Sequence, residues 1–311
     1  MGAGMGGLCQ SLCRAGGDVG AVLGPDDGAV CRAPPCAALE PGDGSVVTAA
    51  AKKIVAGASV GASVQVRAVS HAFGDAARAL PVLDDVSFDV PAGETVALLG
   101  PSGCGKSTLL RLIAGLDAPR AGRIGLDHVR VVGPDPSRLL VFQDPLLLPW
   151  RTVEANVAYG LQARGIGGGE DRVAQALRLV GLADFAGAYP HELSGGMAQR
   201  AAFARALVNH PRVLLLDEPF GKLDSLTRMT MQEELLALAR RHAFTTILVT
   251  HDVEEALLLA TKILVFSPRP ARIIREVDNG LPFPRFRDDP AFIARRRDIL
   301  IALGHGEEFA R

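Results

Sequence analysis

The sequence predicts an α/β domain whose strands flank a helix-rich segment. Short apolar runs bounded by charged or turn residues, "RLLVFQ" and "VLLLDE", are typical of buried parallel strands, and "TTILVTH" and "TKILVF" repeat that pattern. Between Asp144 and His210 the periodicity is mostly helical. In "EDRVAQALRLVGL", for example, Val173, Leu177 and Val180 share one face. Strands on both sides of such a segment indicate an α/β core that carries a helical subdomain.

The remaining elements follow in chain order. From about Ser63, "SVQVRAVS" alternates apolar and polar residues as a half-buried strand does, and "VSFDV" and "ETVALLG" are strands separated by the turn "PAG". "KSTLLRLIAGL" and "SLTRMTMQEELLALARRH" predict amphipathic helices. After Pro282 the chain is polar with proline breaks, and it ends in a short helical stretch, "AFIARRRDILIAL".

Composition excludes several classes of protein. The chain has 311 residues, 48% of them hydrophobic, which suffices for one large domain or two ordinary ones. Its net charge is -1 and no local basic patch is visible, so we expect no nucleic-acid partner. We also expect no membrane span and no secretory signal, because the sequence lacks a long apolar run and a basic start followed by an apolar segment. The expected compartment is the cytosol.

Residues 1–62 differ from the rest of the chain, because they are rich in Gly, Ala and Pro and show no periodicity. We interpret them as a disordered extension. Cys9, Cys13, Cys31 and Cys36 lie here, but their spacings fit no zinc pattern well, so a zinc site is the less favoured alternative.

A phosphate-binding loop is predicted from "GPSGCGKST", which fits G-x-x-x-x-G-K-[ST] with a strand before it and a helix after it. Glycines let backbone N–H groups approach phosphate oxygens, and the helix N-terminus adds a favourable dipole. Lys106 would reach the β- and γ-phosphates and Ser107 would coordinate Mg²⁺. The alternative is a Gly-rich turn with a surface lysine. The candidate loop comprises Gly100, Pro101, Ser102, Gly103, Cys104, Gly105, Lys106, Ser107 and Thr108.

Polar residues at predicted strand ends complete a candidate hydrolysis site. Asp217 ends "VLLLD" and could hold Mg²⁺, and Glu218 could polarise a water for attack on the γ-phosphate. Gln143 could contact Mg²⁺ and the attacking water, and His251 could touch the γ-phosphate. An isolated Gln or His is more often structural, but open α/β sheets bind ligands at the carboxyl ends of their strands, where these two residues are predicted to lie.

The stretch "HELSGGMAQR" raises a further question. Its centre, Ser194-Gly195-Gly196, is polar and nearly free of side chains, so it makes a poor core and a good backbone surface for an anion. The chain therefore carries two candidate phosphate-binding surfaces.

The order of these motifs answers that question, because the chain from about Val64 to Glu276 resembles the ATP-binding subunit of an ABC transporter. The resemblance rests on the phosphate loop 100–108, Gln143, "LSGGM" 193–197, "LLLDE" 214–218, "GKLD" 221–224 and His251. It implies a P-loop NTPase of the ABC ATPase type with a RecA-like core, an N-terminal antiparallel β-subdomain and a helical signature subdomain. The implied ATPase domain is 63–280, with the helical subdomain at about 144–210 and a C-terminal tail at 281–311.

The resemblance also implies an assembly and an activity. Two subunits would pair head to tail, and each ATP would lie between the phosphate loop of one and the signature of the other. Ser194, Gly195 and Gly196 would then bind the partner's γ-phosphate, and Asp224 would lie in a loop at the dimer interface. Phe73 matches the aromatic residue that stacks on adenine, with a core or loop Phe as the alternative. ATP and Mg²⁺ are the implied cofactors.

Two positions depart from the family pattern. Met197 stands where the signature commonly has Gln, and we expect little loss because Ser194 and backbone N–H groups bind the phosphate. Lys222 stands where Ala usually precedes Leu-Asp. The added cation could form a pair across the dimer interface, or could slow closure.

Longer segments, including "RLLVFQDPLLLPWRTVEANVAYGL" and "THDVEEALLLATKILVFSPRPARI", resemble the nitrate/sulfonate/taurine importer branch. This implies a permease dimer in the membrane, an extracytoplasmic substrate-binding protein, and a peripheral position on the cytoplasmic face of the plasma membrane. Leu146 to Trp150 would face the permease, and Trp150 is interpreted either as a docking residue or as a core anchor.

The expected substrate is an aliphatic sulfonate or taurine, with nitrate or another small anion as the alternative. Other classes remain as rivals: a soluble ABC ATPase outside transport, a P-loop kinase or GTPase, and a non-catalytic subunit. The chain has one cassette, no heptad run and an "LSGGM" motif, which disfavours the first two rivals. Glu218 and His251 disfavour the third.

Overall fold

The computed structural model describes residues 61–74 and 78–304. The predicted disordered extension, up to residue 60, and its four cysteines lie outside the described residues. No helix in the described ranges is both long enough and apolar enough to cross a membrane.

Two sheets contain the strands of the described residues. The antiparallel sheet has the order β2-β1-β4-β5 and comprises β1 (Val64–Phe73), β2 (Leu80–Val90), β4 (Ala121–Leu126) and β5 (Val129–Arg130). The second sheet has the order β10-β9-β3-β8-β7-β6 and comprises β3 (Thr95–Leu99), β6 (Arg138–Val141), β7 (Val213–Asp217), β8 (Thr245–Thr250), β9 (Lys262–Phe266) and β10 (Ile273–Asp278). Its strands are parallel except β10, which is antiparallel to β9.

Helices connect and cover these strands. They are α1 (Lys106–Ala114), α2 (Val153–Ala163), α3 (Glu170–Leu179), α4 (Gly195–Leu207), α5 (Ser225–His242), α6 (Val253–Leu259) and α7 (Pro290–Ala302). Short 3-10 turns occur at Ala183–Phe185 and Pro190–Glu192. Several helix ends follow from local chemistry. Asp224 caps α5 by accepting from the backbone N–H of Thr227, and Gly115, with φ 79°, ends α1 in the left-handed conformation.

The parallel strands are apolar throughout because both faces of their sheet are covered. Along β7, Val213 and Leu215 join the core shared with the antiparallel sheet and α1. Leu214 and Leu216 point to the opposite face and pack among helices α2 to α5. The alternation places one strand between two hydrophobic cores, which fixes its register.

The helical stretch expected after Pro282 forms α7, and this helix is packed against the domain. Phe292 and Ile299 are buried with Ala256 and Leu257 of α6. Helix α7 therefore contributes to a third hydrophobic core cluster. The domain boundaries stay predictions.

Asn156 organises the segment that leads into the helical subdomain. Its side chain is fully buried in α2 and accepts a hydrogen bond from the Leu148 backbone N–H at 2.7 Å. It also donates to the backbone carbonyls of Leu148, Arg151 and Thr152 at 3.0–3.1 Å. One amide thus satisfies the backbone of the turn that presents Trp150.

We expect Asn156→Ala to lower the free energy of unfolding by about 2–3 kcal/mol, because the partly buried Leu148 N–H and Arg151 carbonyl lose their hydrogen-bond partner. The Leu148 and Thr152 carbonyls keep a backbone partner. Urea titration followed by circular dichroism measures the loss. Asn209→Ala is the matched control, since Asn209 donates one bond, to the Arg205 carbonyl, and should cost less than about 1 kcal/mol. Equal losses in the two variants would contradict this role of Asn156.

Candidate active site

The predicted phosphate loop connects the end of β3 to the start of α1. Gly103 and Gly105 have positive φ values of 74° and 126°, a region that glycine adopts readily. A Cβ on Gly105 would lie 2.7 Å from Cγ1 of Val82 and 3.1 Å from Cδ2 of Leu83. Strand β2 therefore packs so closely against the loop that only glycine fits at position 105.

Lys106 is enclosed by the first residues of the phosphate loop. It is 4% exposed, and its Nζ donates to the carbonyl oxygens of Gly100 and Pro101, both at 2.8 Å. The alternative of a surface lysine is therefore wrong. A buried ammonium ion needs partners of this kind, and phosphate oxygens entering the loop would be stronger ones.

Ser107 and Asp217 bring two oxygen donors together. The Ser107 hydroxyl donates to Oδ1 of Asp217 at 2.8 Å. Burial raises the pKa of the Asp217 carboxyl, and neighbouring Glu218 raises it further, while Ser107 and Lys106 act in the opposite direction. A hydroxyl and a carboxylate are ligands that Mg²⁺ favours, and the cation would favour the ionised carboxylate. The described residues contain no cluster of three or more His, Cys, Asp or Glu side chains suited to a metal.

Glu218 has an uncommon backbone conformation that turns the chain away from the sheet. Its φ is 45°, and its N–H donates to the Val249 carbonyl at 3.0 Å, across to β8. Its Oε2 lies 3.3 Å from Nδ1 of His251, the residue that follows β8. These two side chains are therefore side by side at the carboxyl edge of the sheet.

Gln143 reaches the same place from β6. Gly221, three residues after Glu218, would carry a Cβ 3.4 Å from Nε2 of Gln143 and 3.9 Å from Oε2 of Glu218. The structure thus brings Gln143 and Glu218 together beside Gly221, with His251 on Glu218. Such a cluster can hold a cation, a nucleotide phosphate and an attacking water together.

The second candidate anion surface lies at the start of α4. Ser194 is the exposed N-cap, and its Oγ accepts from the backbone N–H of Met197 at 3.3 Å. Gly195 and Gly196 form the first turn, where free backbone N–H groups favour an anion. Within the described chain, no hydrogen bond or ion pair joins this turn to residues 100–108.

Loop residues 221–224 connect Glu218 to α5. Asp224 is exposed, and its hydrogen bonds to Thr227 hold the pKa of its carboxyl below the usual range. Lys222 forms an ion pair with Asp144 of the same chain. In the single subunit, Lys222 therefore has an ion-pair partner within its own chain. A pair between Lys222 and a second subunit stays a prediction.

Phe73 and Trp150 are both at the surface. Phe73 ends β1 and is 48% exposed, with its ring edge-on to His71, so the alternative of a core phenylalanine is wrong. Trp150 is 71% exposed, and its interpretation as a core anchor is also wrong. Leu146, nearby in sequence, is exposed as well. Adenine stacking and permease docking stay predictions.

Sequence reasoning missed Glu255, a buried carboxyl that is bonded to the last residue of β8. It is 6% exposed on α6, it accepts a hydrogen bond from Thr250, and burial raises its pKa to about 7. Thr250 directly precedes His251, so this buried carboxyl supports the end of β8. A signal was present, because Glu255 stands four residues before Leu259 on the apolar face of its helix.

The fold and the site together define a P-loop ATPase. The family model described as ABC transporter matches residues 83–221. The chain is 48% identical over 230 residues to a taurine import ATP-binding protein of Yersinia pestis, covering 71% of this chain and 90% of that protein. It is 42% identical over 244 residues to an aliphatic sulfonates import ATP-binding protein of Bacillus cereus, covering 78% and 97%.

A solved dimeric structure of the ATP-binding cassette MJ0796, in a post-hydrolysis state with ADP and phosphate, is also similar. It shares 30% identity with a TM-score of 0.63, covering 70% of this chain and 100% of that chain. The chain therefore belongs to the ATP-binding protein family of ABC transporters. The predicted fold class, family and ATPase activity are confirmed, and ATP is the nucleotide.

We expect Glu255→Gln to change how stability depends on pH. Because the pKa of Glu255 is about 7 in the folded protein against an ordinary 4.5, folding retains a proton that the unfolded chain releases. The stability this proton confers is present below about pH 4.5 and is lost as the pH rises through 7. The amide carries no charge, so the variant should exceed the wild type by about 1–3 kcal/mol at pH 8, and by much less near pH 5.

Chemical denaturation at both pH values measures this difference. Glu233→Gln, an exposed carboxylate on α5, is the control and should show no gain that grows with pH. An equal effect of Glu255→Gln at pH 5 and pH 8 would contradict the raised pKa of Glu255 in the folded protein.

Proposed function

We propose that the chain is the ATP-hydrolysing subunit of a bacterial importer for a small sulfonate anion, either taurine or an aliphatic sulfonate. The observation that carries the proposal is the convergence of Gln143, Glu218 and His251 beside the phosphate loop, in a chain whose relatives are import ATP-binding proteins. A nitrate importer is the alternative, and the names of these relatives give it less support.

ATP would bind through the loop 100–108, with its backbone N–H groups and Lys106 on the phosphates and Phe73 against the adenine. Ser107, Asp217 and Gln143 would hold Mg²⁺, which supplies positive charge to neutralise the phosphate oxygens. The 2.8 Å bond between Ser107 and Asp217 supports this assignment, because both oxygens already face one point.

Hydrolysis would use Glu218 as general base. Its carboxylate takes a proton from water as the water oxygen bonds to the γ-phosphorus and the bond to ADP breaks. His251, 3.3 Å from Glu218, would hold the carboxylate in place and donate to a γ-phosphate oxygen. Gln143 would orient the water.

The active site would be shared between two copies of the chain. Ser194, Gly195 and Gly196 would bind the γ-phosphate held by the partner's loop, with Asp224 at the interface. Support comes from the exposure of Ser194, from its position as the N-cap of α4, and from the dimeric state of the similar MJ0796 cassette. ATP would then join the subunits, and hydrolysis would release them.

A membrane permease would dock on the exposed apolar segment from Leu146 to Trp150, which Asn156 holds in shape. The ATPase would lie on the cytoplasmic face of the plasma membrane, and an extracytoplasmic binding protein would deliver the anion. Tryptophan is enriched among the residues that dominate protein–protein docking sites.

Growth of the source cell tests the transport assignment. In a strain lacking this chain, the wild type should restore growth on taurine or an alkanesulfonate as sole sulfur source, and Glu218→Gln should not. Restoration on nitrate as sole nitrogen source, without a sulfonate effect, would contradict the substrate. No effect on any small anion would contradict an import function.

We expect Ser194→Arg to retain ATP binding while losing ATP-dependent dimerisation, because the larger side chain blocks the turn that contacts the partner's phosphate. In a Glu218→Gln background, where ATP persists, the dimer dissociation constant should rise at least about tenfold. Light scattering after size exclusion measures it. Gln175→Arg, an exposed change on α3 of the same subdomain, should dimerise like its parent. Normal dimerisation of Ser194→Arg would contradict the shared site.

A further inference from the structure

Lys222 has a defined position that the proposed function does not explain. The loop around it is tightly turned, since the N–H of Gly221 donates to the Glu218 carbonyl and the N–H of Leu223 donates to the Phe220 carbonyl, both at 3.2 Å. Leu223 is buried while Lys222 is exposed. The backbone is therefore held on both sides of Lys222, and its side chain extends from a fixed point.

The Lys222 ammonium ion meets the carboxylate of Asp144, the residue directly after Gln143. The two side chains are 57% and 63% exposed. Gly221, directly before Lys222, lies against both Gln143 and Glu218, as the positions of its missing Cβ show. The ion pair thus joins the segment that carries the water-orienting amide to the loop that carries the general base.

The segment after β6 is anchored on its other side by α4. Arg205 donates to the carbonyl oxygens of Pro145 and Leu146 at 2.7 and 2.8 Å, and Gln199 donates to that of Phe142 at 3.4 Å. These bonds fix the backbone from the helical subdomain and leave the Asp144 side chain to reach the Glu218 loop. The segment that carries Gln143 is therefore attached to α4 by hydrogen bonds and to the Glu218 loop by the ion pair.

We propose that Lys222 is a positioning residue: through its ion pair with Asp144 in the same chain, it holds Gln143 against the Glu218 loop for the hydrolytic step. The inference rests on the proposed roles of Gln143 and Glu218. ATP itself is held by residues 100–108, so breaking the pair should alter the turnover number kcat and leave KM for ATP unchanged. A lysine that reached across the dimer interface would instead change ATP-dependent association.

Steady-state ATPase kinetics at low salt test the pair. Lys222→Ala and Asp144→Asn should each lower kcat about two- to fivefold, the size expected for an exposed ion pair, with KM unchanged. The double variant should be no slower than either single variant, and Lys222→Arg should retain activity. At about 1 M NaCl, where the screening length falls to about 3 Å, the wild-type advantage should disappear.

Lys262→Ala is the matched control, because Lys262 Nζ pairs with Glu276 Oε2 at 3.5 Å on the far strands β9 and β10. It should leave kcat unchanged. The proposal would be overturned if the fold-losses in kcat of the two single variants multiplied in the double variant. A change in KM in place of kcat would also overturn it. So would loss of ATP-dependent dimerisation when Lys222→Ala is added to Glu218→Gln, since that places Lys222 at the partner.

The wild-type rate separates this inference from the proposed function. If Glu218→Gln abolished ATP turnover but Lys222→Ala left the rate unchanged, only the role of Lys222 would be overturned. If Glu218→Gln did not reduce the ATPase rate of the wild type, the proposed hydrolysis site would be overturned. The inference about Lys222 would then fail with it.

Discussion

Parallel pairing of the central strands is the constraint on which the site depends. Val141 of β6 pairs with Leu216 of β7, and Asp217 pairs with Val249 of β8. Leu99 of β3 pairs with Thr250 in the same direction. These strands therefore end at one edge of the sheet, where Gln143, Glu218, His251 and the phosphate loop follow them. A shift of one residue in any pair would move a candidate active-site residue to the other face.

The sequence predicted most of this edge because its signals are local. The stretch taken as an amphipathic helix, 225–242, matches α5 in full, and the apolar runs match the parallel strands to within two residues. Because the strand ends were predicted closely, the positions of Gln143, Glu218 and His251 just beyond them were predicted as well. Contacts distant in sequence left no such signal: Lys222 and Asp144 are 78 residues apart, and Arg205 is 59 residues from Leu146. Glu255 was missed because its chemistry comes from burial, which the local pattern only hinted at.

A short segment after β6 links the helical subdomain to the candidate active site. Helix α4 carries Ser194 at its start, and its Arg205 holds the carbonyls of Pro145 and Leu146. The same segment carries Gln143 at one end and leads to exposed Trp150 at the other. A movement of the signature turn, Ser194 to Gly196, on meeting a partner's ATP would therefore be transmitted both to the proposed hydrolysis site and to the proposed docking surface, since packed elements shift as units.

The central claim is that each ATP site needs the phosphate loop of one subunit and the signature turn of the other. Mixing Lys106→Ala protein with Ser194→Arg protein tests it most directly, because a mixed dimer keeps one intact pairing of loop and turn. The account predicts that each variant alone is inactive and that the mixture hydrolyses ATP at a rate that grows with the concentration of both. A mixture as inactive as its components would contradict the shared site.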